Sequence, residues 1–333
     1  MQQKNKTKEK IFITGGAGYV GALLTPYLLK KGYSVTVLDL MIYGEDVLDK
    51  HPNLKIIKGD IRDKKLLESE LPGHNILIHL ACISNDPSFE LNPKLGQSIN
   101  LDAFEPMVKI ARDSLVERFI YASSSSVYGI KKEKDVNEEM SLEPLTDYSK
   151  FKADCEAILL NHKSDDFTPI IIRPATVCGY SPRQRLDVVV NILTNYAYHK
   201  RSITVLGGKQ LRPNIHINDM VRAYETVIKA PKKIVSGEIF NVGYENHSVK
   251  EIADMVKNII GDDVKLETKP TNDNRSYHIS SNKIKRILDF ESKNTIADAV
   301  SDLKDAFDQG LLPESLANKK YFNIKVMQSI NLK

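Results

Sequence analysis

The chain has 333 residues, of which 41% are hydrophobic, so it is long enough for about two domains and can bury a core without disulfide or metal staples. Its formal net charge of +4 comes mainly from a lysine-rich start, which is typical of a solvated tail and not of a nucleic-acid-binding face. No apolar run reaches the roughly 18 residues of a membrane span, and the 3 cysteines have no metal-binding spacing, so we expect a cytoplasmic protein without a membrane, nucleic-acid or metal partner.

Short apolar runs rich in β-branched residues alternate with helical patterns through the first half of the chain, as in parallel βαβ units. Six of these runs are predicted to be strands, at 11–14, 35–38, 54–57, 76–80, 118–121 and 170–173. Helices are predicted between them at 19–31, 93–115 and 147–162. This order is typical of a Rossmann-type doubly wound parallel sheet in an α/β fold.

The alternation loosens after residue 179, where the predicted helices are 182–200, 218–229, 249–260 and 296–309. We therefore predict two domains. Residues 1–176 form the Rossmann domain, with 1–9 as a disordered tail. Residues 177–333 form mainly a smaller, mixed α/β substrate domain, with some segments returning to the first.

A glycine-rich turn joins the first predicted strand to the first predicted helix. Glycines in this position allow a tight turn, close approach of main-chain N–H groups to a pyrophosphate, and close packing of helix on strand. The motif therefore predicts a dinucleotide site whose contacts are Gly15, Gly18, Tyr19, Val20 and Gly21.

A carboxylate ends the second predicted strand, since Asp39 follows the last glycine of the motif by 18 residues. It can accept hydrogen bonds from both hydroxyls of the adenosine ribose, and it would repel a 2′-phosphate, so it selects NAD over NADP. Asp60 and Ile61, after the third strand, are weaker candidates for the adenine edge. Leu80 and Ala81, at the end of the fourth strand, complete the predicted cofactor contacts in this part of the chain.

Tyr148 and Lys152 are four residues apart and therefore share one face of the helix predicted at 147–162. A phenol with an ordinary pKa of about 10 can act as a base near neutrality only beside positive charge, which the lysine would supply. Four consecutive serines, 123–126, end the fifth strand just upstream. The carboxyl ends of strands border the ligand crevice of such sheets, so Ser124 joins the candidate catalytic group.

With these residues assembled, the chain resembles an extended short-chain dehydrogenase/reductase of the NAD-dependent epimerase/dehydratase family, over roughly residues 10 to 310. Ser124, Tyr148 and Lys152 match the family's catalytic residues, and Asn100 matches the helix asparagine that organises the site and borders the cofactor. The resemblance implies NAD as the cofactor and a nucleotide-diphosphate sugar as the substrate, bound mainly by the C-terminal half.

The resemblance also implies substrate contacts. Arg212, in a segment similar to R-x-x-I-H-V, and Arg275 match two arginines that contact the diphosphate. Two guanidinium groups suit two phosphates because they stay charged and donate in pairs. The further substrate contacts predicted are Ser124, Ser125, Thr176, Arg183 and Arg185.

Family dimers pair two helices that match 93–115 and 147–162 of this chain. These segments carry more apolar residues than one buried stripe requires, including Phe104, Met107 and Phe151. A homodimer is therefore expected.

The reaction depends on the residues beside Ser124. Sugar-nucleotide 4,6-dehydratases typically carry Asp and Glu at the next two positions, whereas this chain has Ser125 and Ser126. A serine hydroxyl is too weak an acid for that elimination. The stretch resembles 4-epimerases instead, especially those acting on UDP-glucuronate, which also carry a Thr-Val-x-Gly like that starting at Thr176.

We therefore expect a 4-epimerase that works through a transient 4-keto sugar. The alternative is a 4,6-dehydratase, if another carboxylate enters the site, or a C4 dehydrogenase/reductase, if the cofactor exchanges. The loop containing Arg183 and Arg185 resembles bacterial enzymes that modify GDP-linked sugars, so a GDP-sugar is also a candidate substrate. A non-catalytic NAD-binding regulator is disfavoured, since such proteins usually lose the tyrosine or the lysine.

Overall fold

The computed structural model describes residues 9–84, 86–133, 135–272 and 276–330. Its strands are β1 Lys10–Thr14, β2 Ser34–Asp39, β3 Leu54–Lys58, β4 Ile76–His79, β5 Arg118–Ala122, β6 Thr168–Pro174, β7 Thr176–Cys178, β8 Ser202–Leu206, β9 Leu211–His216, β10 Glu238–Val242, β11 Glu245–Ser248 and β12 Lys265–Lys269.

The α-helices are α1 Gly21–Lys30, α2 Lys64–Glu70, α3 Asp86–Glu90, α4 Pro93–Gln97, α5 Phe104–Asp113, α6 Asp147–Asn161, α7 Val189–Lys200, α8 Ile217–Lys229, α9 Lys232–Val235, α10 Val249–Ile260, α11 Asn282–Leu288, α12 Ile296–Asp308 and α13 Asn323–Ser329. A π-helical turn covers Ser98–Asp102, and 3₁₀ turns cover Ser125–Tyr128 and Lys319–Tyr321. Within the described ranges, no helix is long and apolar enough to cross a bilayer.

The central sheet has the order β3-β2-β1-β4-β5-β6-β10, and every neighbouring pair is parallel. The predicted doubly wound α/β fold is confirmed, but the sheet has seven strands and not six. The seventh, β10, pairs with β6 from Glu238 opposite Ile170. Its short run lies beyond the regular alternation, so only the long-range pairing identifies it as a strand of this sheet.

The core of this sheet lies on both of its faces. Leu24 and Leu28 of α1 and Tyr224 of α8 are buried in one apolar cluster, while Met107 of α5 and Leu159 of α6 are buried in the other. Helices therefore cover both faces, and the carboxyl edge between them is left open for a ligand.

A smaller region follows β6. Strands β11, β9 and β7 form one sheet, β12 and β8 form another, and helices α7, α10 and α12 pack together over a third apolar cluster. The mixed character of this region agrees with the predicted fold class. The division of the chain at residue 176 stays a prediction. Strand β10 lies after that boundary in the sequence but belongs to the central sheet.

The helix predicted at 93–115 is interrupted. A π-helical turn separates α4 from α5, and Asn100 within it donates to the carbonyl of Ile83 at 3.0 Å and accepts from its amide at 2.8 Å. A π turn accommodates one extra residue in a helix and is often found beside functional sites. Helical periodicity alone does not reveal this interruption.

The helix predicted at 182–200 begins only at Val189. The preceding loop is held by side chains: Gln184 accepts a hydrogen bond from the amide of Ser181 at 2.9 Å, and Asn191 donates to the carbonyl of Arg185 at 2.8 Å. These contacts satisfy loop backbone groups that a helix would otherwise satisfy.

Two of the apolar residues behind the homodimer prediction face the interior. Phe104 is 1% exposed and Met107 is 0% exposed, so both belong to the core of a single chain. Only Phe151 is partly exposed. Phe104 and Met107 therefore serve the fold of a single chain, and the homodimer stays a prediction that rests on the resemblance.

His79 ends β4 beneath the open edge of the sheet. Its Nδ1 lies 2.7 Å from the hydroxyl of Thr14, and its ring stacks on that of Tyr121 with centroids 5.7 Å apart. Burial, helped by the charge of Lys152, lowers the pKa of His79 to about 3. The unfolded chain, with a histidine pKa of about 6.5, binds this proton where the folded chain does not, so stability falls as pH drops below that value.

We predict that this one group makes the protein about 2 kcal/mol less stable at pH 5 than at pH 7. Urea unfolding of wild type and of His79→Gln at both pH values should show a smaller acid loss in the variant by about that amount. Between pH 7 and pH 8 the two proteins should respond alike. If wild type and His79→Gln lose the same free energy of unfolding between pH 7 and pH 5, His79 is able to take up a proton in the folded protein.

Candidate active site

A cleft of about 440 Å³ opens at the carboxyl ends of β1, β2, β4, β5 and β6. Of the predicted site residues that the structure describes, all line it except Asp60 and Asn100. Arg275 lies outside the described residues. The fold therefore brings the glycine turn, the serine run, the tyrosine-lysine pair and most of the predicted arginines to one cavity.

The glycine turn leaves no room for larger residues. Gly15 has φ +75°, and a Cβ there would lie 2.6 Å from the amide nitrogen of Ala81. A Cβ on Gly21 would lie 2.6 Å from the Gly15 carbonyl oxygen. The turn is fixed by a 2.8 Å bond from the Gly15 amide to the carbonyl of Leu38. Such a cradle at the start of α1 fits a pyrophosphate group.

Asp39 ends β2 with its carboxylate held at the cleft. One oxygen accepts from the amide of Ala17 at 3.0 Å and the other from the amide of Met41 at 2.8 Å. Burial raises the pKa of Asp39, and the two amide bonds oppose that shift. Each oxygen keeps a lone pair for a further donor, so the group fits a ribose diol. The turn and this carboxylate together match the polar parts of a dinucleotide.

Two of the predicted cofactor residues, Asp60 and Asn100, lie outside the cleft lining. Arg62 donates from Nη2 to the carboxylate of Asp60 at 2.6 Å and from its amide at 2.8 Å, and only Ile61 of that pair lines the cleft. Burial opposes the charge of Asp60, yet the bonds from Arg62 outweigh it and lower the pKa of this carboxyl. Asn100 likewise does not line the cleft but fixes the backbone of Ile83, which does.

Helix α6 presents the tyrosine and the lysine to the cleft. Thr146 caps the helix in a capping box with Ser149, so Tyr148 lies in the first turn. Lys152 is 5% exposed, donates to the carbonyl of Ala122 at 2.7 Å, and has its Nζ 5.8 Å from the ring centroid of Tyr148. This ammonium group can stabilise a phenolate on Tyr148.

Ser124 is the N-cap of the 3₁₀ turn that follows β5. Its hydroxyl accepts from the amide of Ser126 at 3.1 Å and lies 2.8 Å from the Ser126 hydroxyl. Ser125 is 4% exposed and lines the same wall. This wall of the cleft therefore offers hydroxyl groups and no carboxylate.

A buried polar network lies behind this wall. Glu156, one turn beyond Lys152, accepts from the hydroxyl of Ser123 and from Arg173, whose Nε and Nη2 lie 2.9 and 2.5 Å from its oxygens. Arg173 also donates to the Tyr128 hydroxyl at 2.7 Å. The network joins α6 to the ends of β5 and β6.

Arg183 is 4% exposed and stacks on Tyr43, with its guanidinium carbon 3.4 Å from the ring centroid. Its Nη2 donates to the side chain of Asn323 at 2.5 Å, while its Nε has no acceptor among the described residues. Burial lowers the pKa of Arg183 to about 10, so it carries its charge at neutral pH.

Arg185 pairs with Asp187, with Nε and Oδ1 2.9 Å apart. The second Asp187 oxygen accepts from the amide of Asn323 at 2.8 Å. The side chain of Asn323 also donates to the Ser84 hydroxyl at 2.8 Å. Through Asn323, the C-terminal segment closes one side of the cleft.

The remaining predicted substrate residues lie on another part of the lining. Thr176 starts β7, and Arg212 lies on β9 with its guanidinium carbon 5.4 Å from the ring centroid of Tyr277. Tyr277 also lines the cleft. Across the described ranges, no three His, Cys, Asp or Glu side chains are grouped to hold a metal ion.

Three cleft residues are missed by the sequence motifs. Tyr43 and Asp187 could have been suspected from their places four residues after Asp39 and two after Arg185. Asn323 gives no such signal, because it is 140 residues from Arg183. Only the folded chain reveals its contact with the site.

The comparisons with known proteins agree with this geometry. The model of the NAD dependent epimerase/dehydratase family matches residues 11–243. An uncharacterized UDP-glucose epimerase of Bacillus subtilis, YtcB, is 30% identical over 310 residues, which cover 88% of this chain and 96% of that protein. A dTDP-D-glucose 4,6-dehydratase of Dictyostelium discoideum is 30% identical over 257 residues, which cover 71% of this chain but only 58% of that protein.

Among solved structures, DesIV, a dTDP-glucose 4,6-dehydratase from Streptomyces venezuelae crystallised with NAD, superposes with a TM-score of 0.82. It is 22% identical and covers 92% of this chain and 99% of its own, so it shows the same fold. The family match over most of the chain and the dinucleotide cradle lead to one conclusion. The chain belongs to the NAD-dependent epimerase/dehydratase family, and it is an enzyme that uses NAD as its cofactor.

Proposed function

We propose that this enzyme is a nucleotide-diphosphate-sugar 4-epimerase that works through a transient 4-keto sugar. The observation that carries the proposal is the hydroxyl-lined wall at Ser124, Ser125 and Ser126, which stands beside Tyr148 and Lys152. A 4-epimerisation needs one proton-transferring group at the sugar 4-hydroxyl, and this wall with its tyrosine supplies that group. The nucleotide-sugar names of the relatives support the substrate class.

Tyr148 is the general base for the sugar 4-hydroxyl. The ammonium of Lys152, 5.8 Å from its ring centroid, favours the phenolate that must form. Bound NAD supplies reversible hydride exchange with sugar C4. Tyr148 then returns the proton to the oxygen on C4 when the hydroxyl is restored on the opposite face of the sugar.

Ser124 orients the same oxygen. The Ser124 oxygen accepts from the Ser126 amide at 3.1 Å and, when the Ser126 hydroxyl donates across their 2.8 Å contact, from that hydroxyl as well. In this arrangement the proton of Ser124 points at the sugar. A donor at this position stabilises the carbonyl oxygen of the 4-keto sugar.

Elimination of water is the second candidate reaction, and one observation bears on it. Within the described residues, the carboxylates that line the cleft are Asp39 and Asp187. Asp39 ends β2, three strand positions from β5 and so about 14 Å away. Both oxygens of Asp187 already accept hydrogen bonds, whereas a dehydratase acid must present a proton. The epimerase is therefore favoured.

The rest of the assignment rests on the family resemblance. Arg212 and Arg275 bind the diphosphate, Thr176, Arg183 and Arg185 contact the substrate, and the C-terminal half binds most of it. A cytoplasmic location and a homodimer belong to the same proposal. The proposal covers UDP-, GDP-, dTDP- and CDP-sugars alike.

The first prediction from this mechanism concerns Tyr148. Replacing it by Phe removes only the proton-transferring oxygen, so turnover should fall by about 10²-fold or more while the Kd for NAD stays within a factor of about 3. Steady-state kinetics and NAD titration measure the two effects. The matched control is Tyr244→Phe at an exposed tyrosine outside the cleft, which should keep wild-type turnover. Normal turnover in the Tyr148 variant would contradict the mechanism.

The second prediction concerns cofactor choice. Asp39 would face the extra phosphate of NADP, so the NADP/NAD ratio of dissociation constants should be large in wild type. It should fall by about tenfold or more in Asp39→Asn, which removes the negative charge. Asp263→Asn is the matched control, because Asp263 pairs with Arg201 at the surface, outside the cleft, and should leave the ratio unchanged. Equal ratios in wild type and Asp39→Asn would remove Asp39 from the ribose site.

The third prediction follows hydrogen atoms during turnover of whichever UDP-, GDP-, dTDP- or CDP-sugar is accepted. In heavy water, C5 and C6 should stay unlabelled, and deuterium placed at C4 should remain at C4. The 4-epimer should accumulate without net NADH. Mass spectrometry that detects loss of water together with solvent deuterium at C5 would establish the dehydratase instead.

A further inference from the structure

The cofactor cleft runs across the carboxyl end of β1. Asp39, which fits the ribose, ends β2, whereas Lys152 bonds to the carbonyl of Ala122 at the end of β5. The glycine turn that follows β1 lies between these two points, because the strand order is β2-β1-β4-β5. A dinucleotide that reaches from Asp39 to Lys152 therefore passes over the end of β1.

A row of side chains spans the same place from β2 to β4. Tyr43 follows β2, and the guanidinium carbon of Arg183 lies 3.4 Å from its ring centroid. Arg183 donates to the side chain of Asn323 at 2.5 Å, and Asn323 donates at 2.8 Å to the hydroxyl of Ser84, which follows β4. All four residues line the cleft. We call this row the cleft bridge.

Asn323 belongs to a C-terminal segment, residues 319–329, that we call the strap. The first part of the strap is fixed by burial. Tyr321 and Phe322 are 2% and 6% exposed and pack in one apolar cluster with Leu186. The amide of Leu186 also donates to the carbonyl of Tyr321 at 2.8 Å. These contacts do not involve the cleft bridge, so this part stays in place without it.

The second part of the strap is α13, and its position depends on Asn323. The helix has seven residues, and its buried ones are Asn323 and Val326. A helix this short is not stable by itself in water. Asn323 adds two side-chain bonds within the cleft bridge and a 2.8 Å bond from its amide to Asp187. Segments that bury few apolar side chains open locally at a lower free-energy cost than the core.

We propose that α13 must lift away for NAD to enter or leave the cleft, and that Asn323 is the positioning residue that keeps it closed. The inference rests on NAD as the cofactor and holds for epimerisation and elimination alike. In the proposed epimerase the hydride returns to the sugar, so NAD need not be released between turnovers and slow exchange does not limit the rate.

A strap that controls exchange differs from an ordinary cofactor contact in its effect on rates. Opening precedes both entry and release, so a weaker closure raises both rate constants and leaves their ratio, the Kd, nearly unchanged. Loss of a direct contact with the cofactor raises the release rate constant alone. The two roles of Asn323 are therefore separable by kinetics.

The test measures cofactor exchange by stopped-flow fluorescence with NADH as the probe. Mixing gives the association rate constant, and a chase with excess NAD gives the dissociation rate constant. In Asn323→Ala both should rise by about tenfold, because two bonds of the cleft bridge are lost and one of them comes from a charged group. The Kd should stay within a factor of about 3. Ser84→Ala removes one neutral bond and should raise both rate constants by about threefold.

Asn258→Ala is the matched control, because Asn258 is an exposed asparagine of α10 outside the cleft. It should keep both rate constants. Hydrogen exchange provides a second readout. In Asn323→Ala the amides of α13 should exchange faster, whereas the Leu186 amide, bonded to Tyr321, should stay as protected as in wild type. Retained protection of Leu186 also verifies that the variant is folded.

A faster release with unchanged association in Asn323→Ala would overturn the inference, and so would unchanged rate constants in the folded variant. If Asn323→Ala does not fold, the same two outcomes in Ser84→Ala decide the question. Turnover is measured separately. An enzyme that exchanges NADH as expected but eliminates water from its substrate would contradict the epimerase and leave the role of the strap intact.

Discussion

Glu156 on α6 and Arg173 on β6 form an ion pair whose side chains are each only 3% exposed. Removing two charges from water costs several kcal/mol for each ion, so the pair is stable only because its remaining polar atoms are satisfied. Ser123 and Tyr128 provide those contacts. Arg173 thereby attaches the helix of Tyr148 and Lys152 to the strand ends that carry the serine wall.

This attachment matters because the two residues proposed to act on the sugar oxygen come from different elements. Tyr148 lies on α6, whereas Ser124 follows β5, and their separation must suit one sugar oxygen. The Lys152 bond to the carbonyl of Ala122 and the Glu156 bond to Ser123 fix that separation at two successive helical turns. A misplacement of about 1 Å at such a site can cost about 10²-fold in rate.

The sequence predicted the parts of the fold that depend on local patterns. The strand alternation, the glycine turn and the tyrosine-lysine spacing are each visible within a few residues, and the central sheet follows from them. β10 and the π turn at Asn100 were not predicted, because the first depends on pairing with β6 and the second on contacts with Ile83. Helical periodicity is nearly the same on both sides of a π turn.

The residues of the candidate site also fall into those that local motifs predict and those that only the folded chain brings together. Gly15, Asp39 and Lys152 belong to motifs with a physical reason for their spacing, and they line one cleft. The closure of that cleft by Asn323 could not be predicted, because the contact joins positions 239 residues apart at Ser84. The contacts of Asp187 also could not be predicted, since one of them is with the amide of Asn323, which is distant in sequence.

The path of the chain between its two regions has a consequence for how such an enzyme can diversify. After β7 to β9 the chain returns to the central sheet as β10, leaves it again, and comes back at α13 to contact α3. Neither region is one continuous stretch of sequence, so a single recombination crossover cannot exchange it as a module. Point substitutions in loops that border the cleft, such as 183–187, can instead alter its lining and leave the sheet and the cofactor cradle untouched.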